Sequence, residues 1–221
     1  YPYLRLRRSR KFHWSRRLVQ ENNLSINDFI LPIFLIEGKN KKIPIKLMPN
    51  VYRYSIDMLA TIIDKAIRRK IPMVALFPYT NPKLKNNLGT EALNENNLVC
   101  RGIRYIKKRY KNSIGIMCDV ALDPYTSHGH DGILNNNYII NDETVDLLVE
   151  QSILQAKMGC DVIAPSDMMD GRIKKIRQKL DKEDLKDVQI LSYAVKYASS
   201  FYGPFRDAIG SKKSLKGDKK S

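Results

Sequence analysis

Apolar runs rich in β-branched and aromatic residues alternate along the chain with stretches whose apolar residues recur at helical spacing. Short runs of this kind, bounded by polar turns, are typical of buried strands. We therefore predict strands at residues 29–36, 73–78, 114–122, 161–165 and 188–195.

Two of the intervening stretches carry clear helix signals. A first helix is predicted after Ser55 as N-cap, and it ends before Pro72 with basic residues at 68–70, the negative end of its dipole. Its buried face is predicted to be Leu59, Ile62, Ile63, Ala66 and Ile67. A second helix is predicted between Asn141 as N-cap and Gly159 as terminating residue.

The repeated order of strand, helix and strand indicates an α/β protein with parallel strands joined by right-handed crossovers. Both a doubly wound sheet and a (β/α)8 barrel have this pattern, and the pattern alone leaves both open. No GxGxxG turn follows the first strand, so a dinucleotide site has no support. Residues 1–27 do not fit the alternation of strands and helices. We predict an N-terminal arm at 1–27 and one domain at 28–221.

The composition is that of an ordinary globular protein, with 221 residues, 43% hydrophobic and 28% charged. The longest apolar run is far shorter than the roughly 20 residues that cross a bilayer, so no membrane partner is expected. Three cysteines without a CxxC pair, and no secretory signal, favour reduced thiols and the cytoplasm. The net charge is +16, but the lysines are spread along the chain, so nucleic acid is not the expected partner.

The most informative window is residues 188–205, in which Lys196 is the single charged residue. Apolar surroundings disfavour an ammonium group, so we expect burial to leave more free amine at neutral pH. A free amine is the nucleophile of Schiff-base catalysis. The alternative is a lysine at a strand end that extends its amine to water.

The window is followed by a basic segment, residues 203–221, with Arg206, several lysines and three glycines. Glycine hinges and cations together predict a mobile lid that closes on a carboxylate or phosphate. The alternative is a solvated charged loop. Beyond the C-terminal end of a strand, where barrel active sites lie, the lid and Lys196 would form one site.

Two further segments carry polar groups at strand ends. Residues 118–132 contain potential metal ligands or acid–base groups, namely Asp119, Asp123, His128, His130 and Asp131, although their spacing matches no standard zinc signature. A hydrogen-bonded polar loop is the alternative. Residues 164–172 suit a substrate-lining loop, or else a turn capped by an aspartate.

The chain closely resembles the porphobilinogen synthases (5-aminolevulinate dehydratases) in four segments, which read DVALDPYTSHGHDG, APSDMMDGR, KYASSFYGPFRDA and KGDKK in this order. The resemblance implies a TIM (β/α)8 barrel whose N-terminal arm embraces a neighbouring subunit, commonly in a homo-octamer. About five of the eight strands would lie in this chain. The others, with a second catalytic lysine, would follow Ser221, so the 221 residues alone are expected to be inactive.

The implied reaction condenses two molecules of 5-aminolevulinate to porphobilinogen, with loss of two waters, in tetrapyrrole (heme) biosynthesis. By position, Lys196 matches the lysine that forms a Schiff base with substrate. Polar residues near the Schiff base match Asp119 and Ser166, and a packing residue beside it matches Phe205. The cations that hold the substrate carboxylate under the lid match Arg206 and Lys219.

Zinc-dependent members of this family carry three cysteines at the positions that are Ala121, Asp123 and Asp131 here. Thiolate ligation is impossible at these positions, so no catalytic zinc is expected. The chain resembles the aspartate-rich branch, in which Mg²⁺ acts between subunits, away from the substrate. Its glutamate ligand would follow Ser221, and no metal ligand is assigned within the chain.

Two competing interpretations stay open. Another Schiff-base barrel lyase, such as an aldolase-like enzyme, would account for Lys196 but not for the other segments. An inactive truncated remnant, retaining only the first part of the fold, would have the segments without the activity.

Overall fold

The structure of the chain, a computed structural model, describes residues 3–136, 138–197, 199–200 and 202–211. Its strands are β1 (Ile30–Ile36), β2 (Lys42–Pro44), β3 (Tyr52–Tyr54), β4 (Met73–Tyr79), β5 (Gly115–Val120), β6 (Ile133–Asn135), β7 (Tyr138–Ile140), β8 (Val162–Pro165) and β9 (Gln189–Ile190). Its α-helices are α1 (His13–Leu18), α2 (Leu59–Arg68), α3 (Leu98–Tyr110), α4 (Asn141–Lys157), α5 (Arg172–Lys182) and α6 (Tyr202–Ile209).

One sheet contains most of the strands, in the order β2-β3-β1-β4-β5-β8-β9. The pairs β1–β4, β4–β5, β5–β8 and β8–β9 are parallel, and each pair is joined through a helix. These strands follow one another in chain order without the reversal that defines a doubly wound sheet. The order is therefore that of consecutive units of a (β/α) barrel, one of the two architectures that the sequence left open.

Residues along each strand alternate between two apolar cores. On β1, Ile33 and Leu35 belong to the outer core beneath the helices, whereas Phe34 belongs to the inner core. The inner core consists of Phe34, Ile45, Ala75, Phe77, Met117, Val162, Ala164, Ala208 and Ile209. Because successive side chains of a strand point to opposite faces, Asp119 lies on the same inner face as Met117. The strand period thus directs the acid toward the barrel interior.

The two predicted N-cap residues, Ser55 and Asn141, form other hydrogen bonds instead. The residue before α2 is Met58, and Ser55 precedes a 3₁₀ turn, where its hydroxyl accepts a hydrogen bond from Lys41 N (2.9 Å) and donates one to Asp57 (2.7 Å). Asn141 is the first residue of α4, and its Oδ1 accepts from Asp170 N (2.7 Å). These side chains tie distant loops together, which local sequence does not reveal.

The N-terminal segment forms a 3₁₀ turn and α1 and leaves large apolar side chains in solvent. Leu4, Trp14 and Leu18 are 70%, 65% and 80% exposed. The boundary of the arm at residue 27 stays a prediction. Among the described residues, no helix has both the length and the apolar character needed to cross a membrane.

Candidate active site

A cavity of 360 Å³ opens at the C-terminal ends of the parallel strands. Its lining residues are Pro32, Phe34, Met48, Val51, Phe77, Asp119, Asp123, Ser166, Tyr193, Lys196, Tyr202 and Phe205. An apolar, aromatic wall with a few converging polar groups is typical of a small-molecule site. A larger groove of 720 Å³ lies outside the barrel between α4 and α5, and it contains none of the predicted site residues.

An extended segment after β9 carries Lys196 to this cavity. Leu191 N donates to Ile163 O (2.9 Å) and Tyr193 N to Pro165 O (3.3 Å), so the chain continues alongside β8 beyond the strand itself. The Lys196 ammonium then donates to Asp131 Oδ2 (3.0 Å) and to the carbonyl oxygen of Ser166 (2.6 Å). The side chain is 20% exposed, so it does not extend to water as the alternative interpretation required.

The ion pair with Asp131 gives Lys196 a different charge from the neutral amine that the sequence suggested. Burial, the largest single influence, lowers the pKa of this amine, as the sequence suggested. The interactions with Asp131, Tyr202 and Asp123 together outweigh burial, so the pKa lies above its ordinary value. The resting amine is therefore protonated. A reaction at Lys196 must first transfer that proton or separate the pair.

The carboxyl group of Asp119 is suited to acid–base chemistry at neutral pH. It is 7% exposed, and burial together with the charge of Asp123 raises its pKa to about 7, while a hydrogen bond with Ser166 opposes the shift. Its Oδ1 has no hydrogen-bond partner within the described part of the chain. A buried acid that titrates near pH 7 can both give and take a proton.

The loop after β8 is both a lining loop and an aspartate-capped turn, which unites the two interpretations of its sequence. Ser166 lines the cavity, and Asp167 accepts a hydrogen bond from Met169 N (2.8 Å). Asp167 is fully buried beside Arg172 (3.3 Å), and burial raises its pKa to about 6. Arg172 also donates to Tyr193 O (3.3 Å), which joins this loop to the segment that carries Lys196.

The two histidines of the 118–132 segment belong to a hydrogen-bonded loop. His130 N donates to His128 Nδ1 (3.2 Å), and His128 Nε2 lies 3.1 Å from Asn87 O, an arrangement that requires neutral His128 with the proton on Nε2. Burial lowers the pKa of His128 in agreement with this. Across the described ranges, no three His, Cys, Asp or Glu side chains could hold a metal ion.

The predicted lid is partly helical. Residues 202–209 form α6, where the sequence had suggested a mobile loop, and Phe205 packs edge-on against Phe77 with ring centroids 5.1 Å apart. Phe205 lines the cavity, whereas Arg206 is not among the lining residues. The Arg206 Nε is buried and lacks a hydrogen-bond partner among described residues. Lys219 lies outside the described residues.

A second buried amine, Lys85, was missed by the sequence analysis. Its Nζ is buried in the loop after β4 and has no hydrogen-bond partner in the described part of the protein. Burial lowers the pKa of Lys85, and the nearby carboxylate of Asp123 opposes that shift. A lysine among asparagines in a polar loop gives no sequence signal for burial, so only the fold reveals it.

Comparison with known proteins places these features in a family. The family model described as delta-aminolevulinic acid dehydratase matches residues 3–221. The chain belongs to this family. The delta-aminolevulinic acid dehydratase of Bradyrhizobium diazoefficiens is 56% identical over 218 residues, which make up 99% of this chain and 62% of that protein.

Two further relatives agree. Delta-aminolevulinic acid dehydratase 1, chloroplastic, of Arabidopsis thaliana is 47% identical over 98% of this chain and 50% of that protein. The crystal structure of the Toxoplasma gondii dehydratase (porphobilinogen synthase), in complex with the reaction product porphobilinogen, matches with a TM-score of 0.87 and 41% identity over 97% of this chain and 63% of that chain. The barrel architecture of the delta-aminolevulinic acid dehydratases is confirmed. The chain spans between half and two thirds of these relatives' length.

Proposed function

We propose that the complete protein is a porphobilinogen synthase that condenses two molecules of 5-aminolevulinate, with loss of two waters, in tetrapyrrole (heme) biosynthesis. The observation that carries the proposal is the Lys196 amine, which lies in a 360 Å³ cavity lined also by Asp119 and Asp123 and is paired with Asp131. Family membership, and the product named for the Toxoplasma structure, support the choice of substrate.

The first step that this geometry supports is imine formation. Lys196 gives up its ammonium proton, and the Asp131 carboxylate at 3.0 Å is placed to accept it. The free amine attacks the ketone carbon of 5-aminolevulinate, the carbonyl oxygen takes up a proton, and the carbinolamine loses one water to leave the imine. Asp119, with its pKa of about 7, supplies and recovers protons during these transfers.

The substrate carboxylate is assigned to Arg206 and Lys219. The support for Arg206 is its buried Nε, which has no partner among the described residues, at the start of the lid. Lys219 is assigned by its match to the family. The second 5-aminolevulinate is assigned to a lysine that the resemblance places after Ser221.

Magnesium rather than zinc is the proposed metal. Position 121 offers a buried methyl group, and Asp131 is already paired with Lys196. The described residues thus do not form a metal site on their own, and the proposed Mg²⁺ ligand follows Ser221.

A homo-octamer in the cytoplasm completes the proposal. The octamer rests on the family resemblance, and the cytoplasm on unpaired cysteines, although the Arabidopsis relative is named chloroplastic. If the protein were another Schiff-base lyase, its 56% identity to the Bradyrhizobium dehydratase would be unexplained. An inactive remnant would be distinguished from the proposed enzyme by its failure to turn over 5-aminolevulinate.

Borohydride trapping tests the assignment of Lys196. The complete protein is reduced in the presence of 5-aminolevulinate, and the label is located by peptide mapping. We expect label at Lys196 in the wild type and its loss in Lys196→Arg, which keeps the charge but forms no imine. The matched control Lys85→Arg should keep the label at Lys196. Label at Lys85 in place of Lys196 in the wild type would refute the assignment.

A further inference from the structure

The C-terminal end of α6 is held by an arginine of the sheet. Arg53, on β3, donates through Nε to Ala208 O (2.8 Å) and through Nη2 to Asp207 O (2.6 Å). The last carbonyl groups of a helix have no partner within the helix, and a cation there also complements the helix dipole. One planar guanidinium therefore satisfies two helix-terminal acceptors at once.

A tyrosine at the end of β4 completes this contact. The Arg53 guanidinium carbon lies 4.4 Å from the centroid of the Tyr79 ring, within the range of a cation–π interaction. Gly210, directly after α6, has φ +73°, and a Cβ there would lie 2.6 Å from Tyr79 Cε2. The backbone after α6 thus packs directly on the Tyr79 ring, the same ring that contacts the Arg53 guanidinium. Arg53, Tyr79 and Gly210 are together called the α6 clamp.

The clamp fixes the part of α6 that precedes it. Ala208 and Ile209 are 0% and 1% exposed in the inner core, so the last turn is anchored both by packing and by Arg53. Phe205 and Arg206 lie about one turn or less before these residues on the same short helix. Their positions relative to Lys196 consequently depend on where the clamp holds the helix end.

We propose that Arg53 is a positioning residue, which sets the place of Arg206 and Phe205 over the cavity by holding the end of α6. The inference rests on the proposed function, in which Arg206 binds the substrate carboxylate. The contacts that Arg53 makes with Asp207, Ala208 and Tyr79 are with groups to which no step of the chemistry is assigned. Its effect is expected on the binding of substrate more than on the reaction of bound substrate.

The test compares Arg53→Met with Arg177→Met in the complete protein. Arg177 is a matched control because it also donates to backbone carbonyls, those of Val188 (2.6 Å) and Leu185 (3.2 Å), away from α6. In Arg53→Met we expect KM for 5-aminolevulinate to rise about tenfold, the scale of one lost charge-assisted contact, with a smaller change in kcat. Amide hydrogen exchange in residues 202–211 should become faster, and Arg177→Met should change neither.

The conservative variant Arg53→Lys keeps the positive charge on a single nitrogen but loses the planar guanidinium that bonds two carbonyl groups at once, so an intermediate KM is expected. This variant remains informative if Arg53→Met does not fold. Unchanged KM and unchanged exchange in both Arg53 variants would overturn the inference. So would equal effects in Arg177→Met, because the changes would then reflect general destabilisation. Failure of the wild type to turn over 5-aminolevulinate would count against the proposed function alone, since the exchange measurement tests the clamp without it.

Discussion

At the scale of single residues, the charge of Lys196 depends on the carboxylate of Asp131, which lies 3.0 Å from its amine. Lys196, Asp119 and Ser166 line one cavity, which strand-end placement and the family segments could predict. The protonated state of Lys196 could not be predicted, because it depends on Asp131, which is 65 positions away in the chain. Burial and ion pairing shift a lysine pKa in opposite directions, and only the distance decides between them.

Because the pKa of Asp119 is raised, the stability of the folded protein is predicted to depend on pH. Its pKa rises from 3.8 to about 7 on folding, so the stability that the protonated group contributes is complete below pH 4 and is lost as the pH rises toward 7. At about 1.4 kcal/mol per unit the loss is on the order of 4 kcal/mol. Asp119→Asn should therefore raise the melting temperature of the complete protein more at pH 8 than at pH 5.

The exposed Asp187 provides the control for this measurement, and Asp187→Asn should give no such pH-dependent difference. An Asp119→Asn variant whose melting temperature differs from wild type equally at pH 5 and pH 8 would show that Asp119 is ionised normally.

At the scale of elements, periodicity predicted α2 well, since it has a clear apolar face. The helix α4 was also predicted, although it buries polar side chains such as Gln151 and Gln155 together with its apolar ones. The strands β2, β3, β6 and β7 were not predicted, because three residues are too few to show alternation. Helix α6 was missed for a different reason. Glycine and proline at positions 203 and 204 favour a loop locally, but packing of its apolar residues on the inner core stabilises a helix.

Substrate binding is predicted to depend on cations of the proposed lid, which includes α6. Arg206→Ala and Lys219→Ala should each lower kcat/KM of the complete protein ten- to a hundredfold, because each removes a charge-assisted contact of roughly 1.5–3 kcal/mol. Steady-state kinetics with 5-aminolevulinate measure this. Lys213→Ala, in the same basic segment but with no assigned contact, should stay near wild type. Wild-type kinetics in both Arg206→Ala and Lys219→Ala would mean that these cations only solvate the surface.

At the scale of the whole molecule, the order of the parallel strands explains why this stretch makes only part of a barrel. The first strand, β1, and the last, β9, lie toward opposite ends of the parallel series, and eight strands are needed for closure. Phe29 and Ile30, at the start of β1, are 45% and 37% exposed. Open strand edges and exposed apolar residues favour aggregation, so residues 1–221 expressed alone should fold poorly.

The proposed preference for Mg²⁺ over zinc also belongs to the scale of the whole molecule. The cavity that holds Lys196 is also lined by the carboxylates of Asp119 and Asp123, and no cysteine is among its described lining residues. Hard oxygen donors favour Mg²⁺. Elemental analysis of the purified complete protein should show no stoichiometric zinc, and Mg²⁺ should restore activity after chelation. Zinc at one per subunit, with activity restored by zinc and not by Mg²⁺, would contradict this.

The central claim is that Lys196 is the amine with which this protein converts 5-aminolevulinate to porphobilinogen. Its most direct test is product formation, measured in parallel for the complete protein, for Lys196→Arg and for residues 1–221 alone, each free of host enzyme. Porphobilinogen is expected from the complete protein, and none above background is expected from the other two. Porphobilinogen formation by Lys196→Arg at the wild-type rate would contradict it.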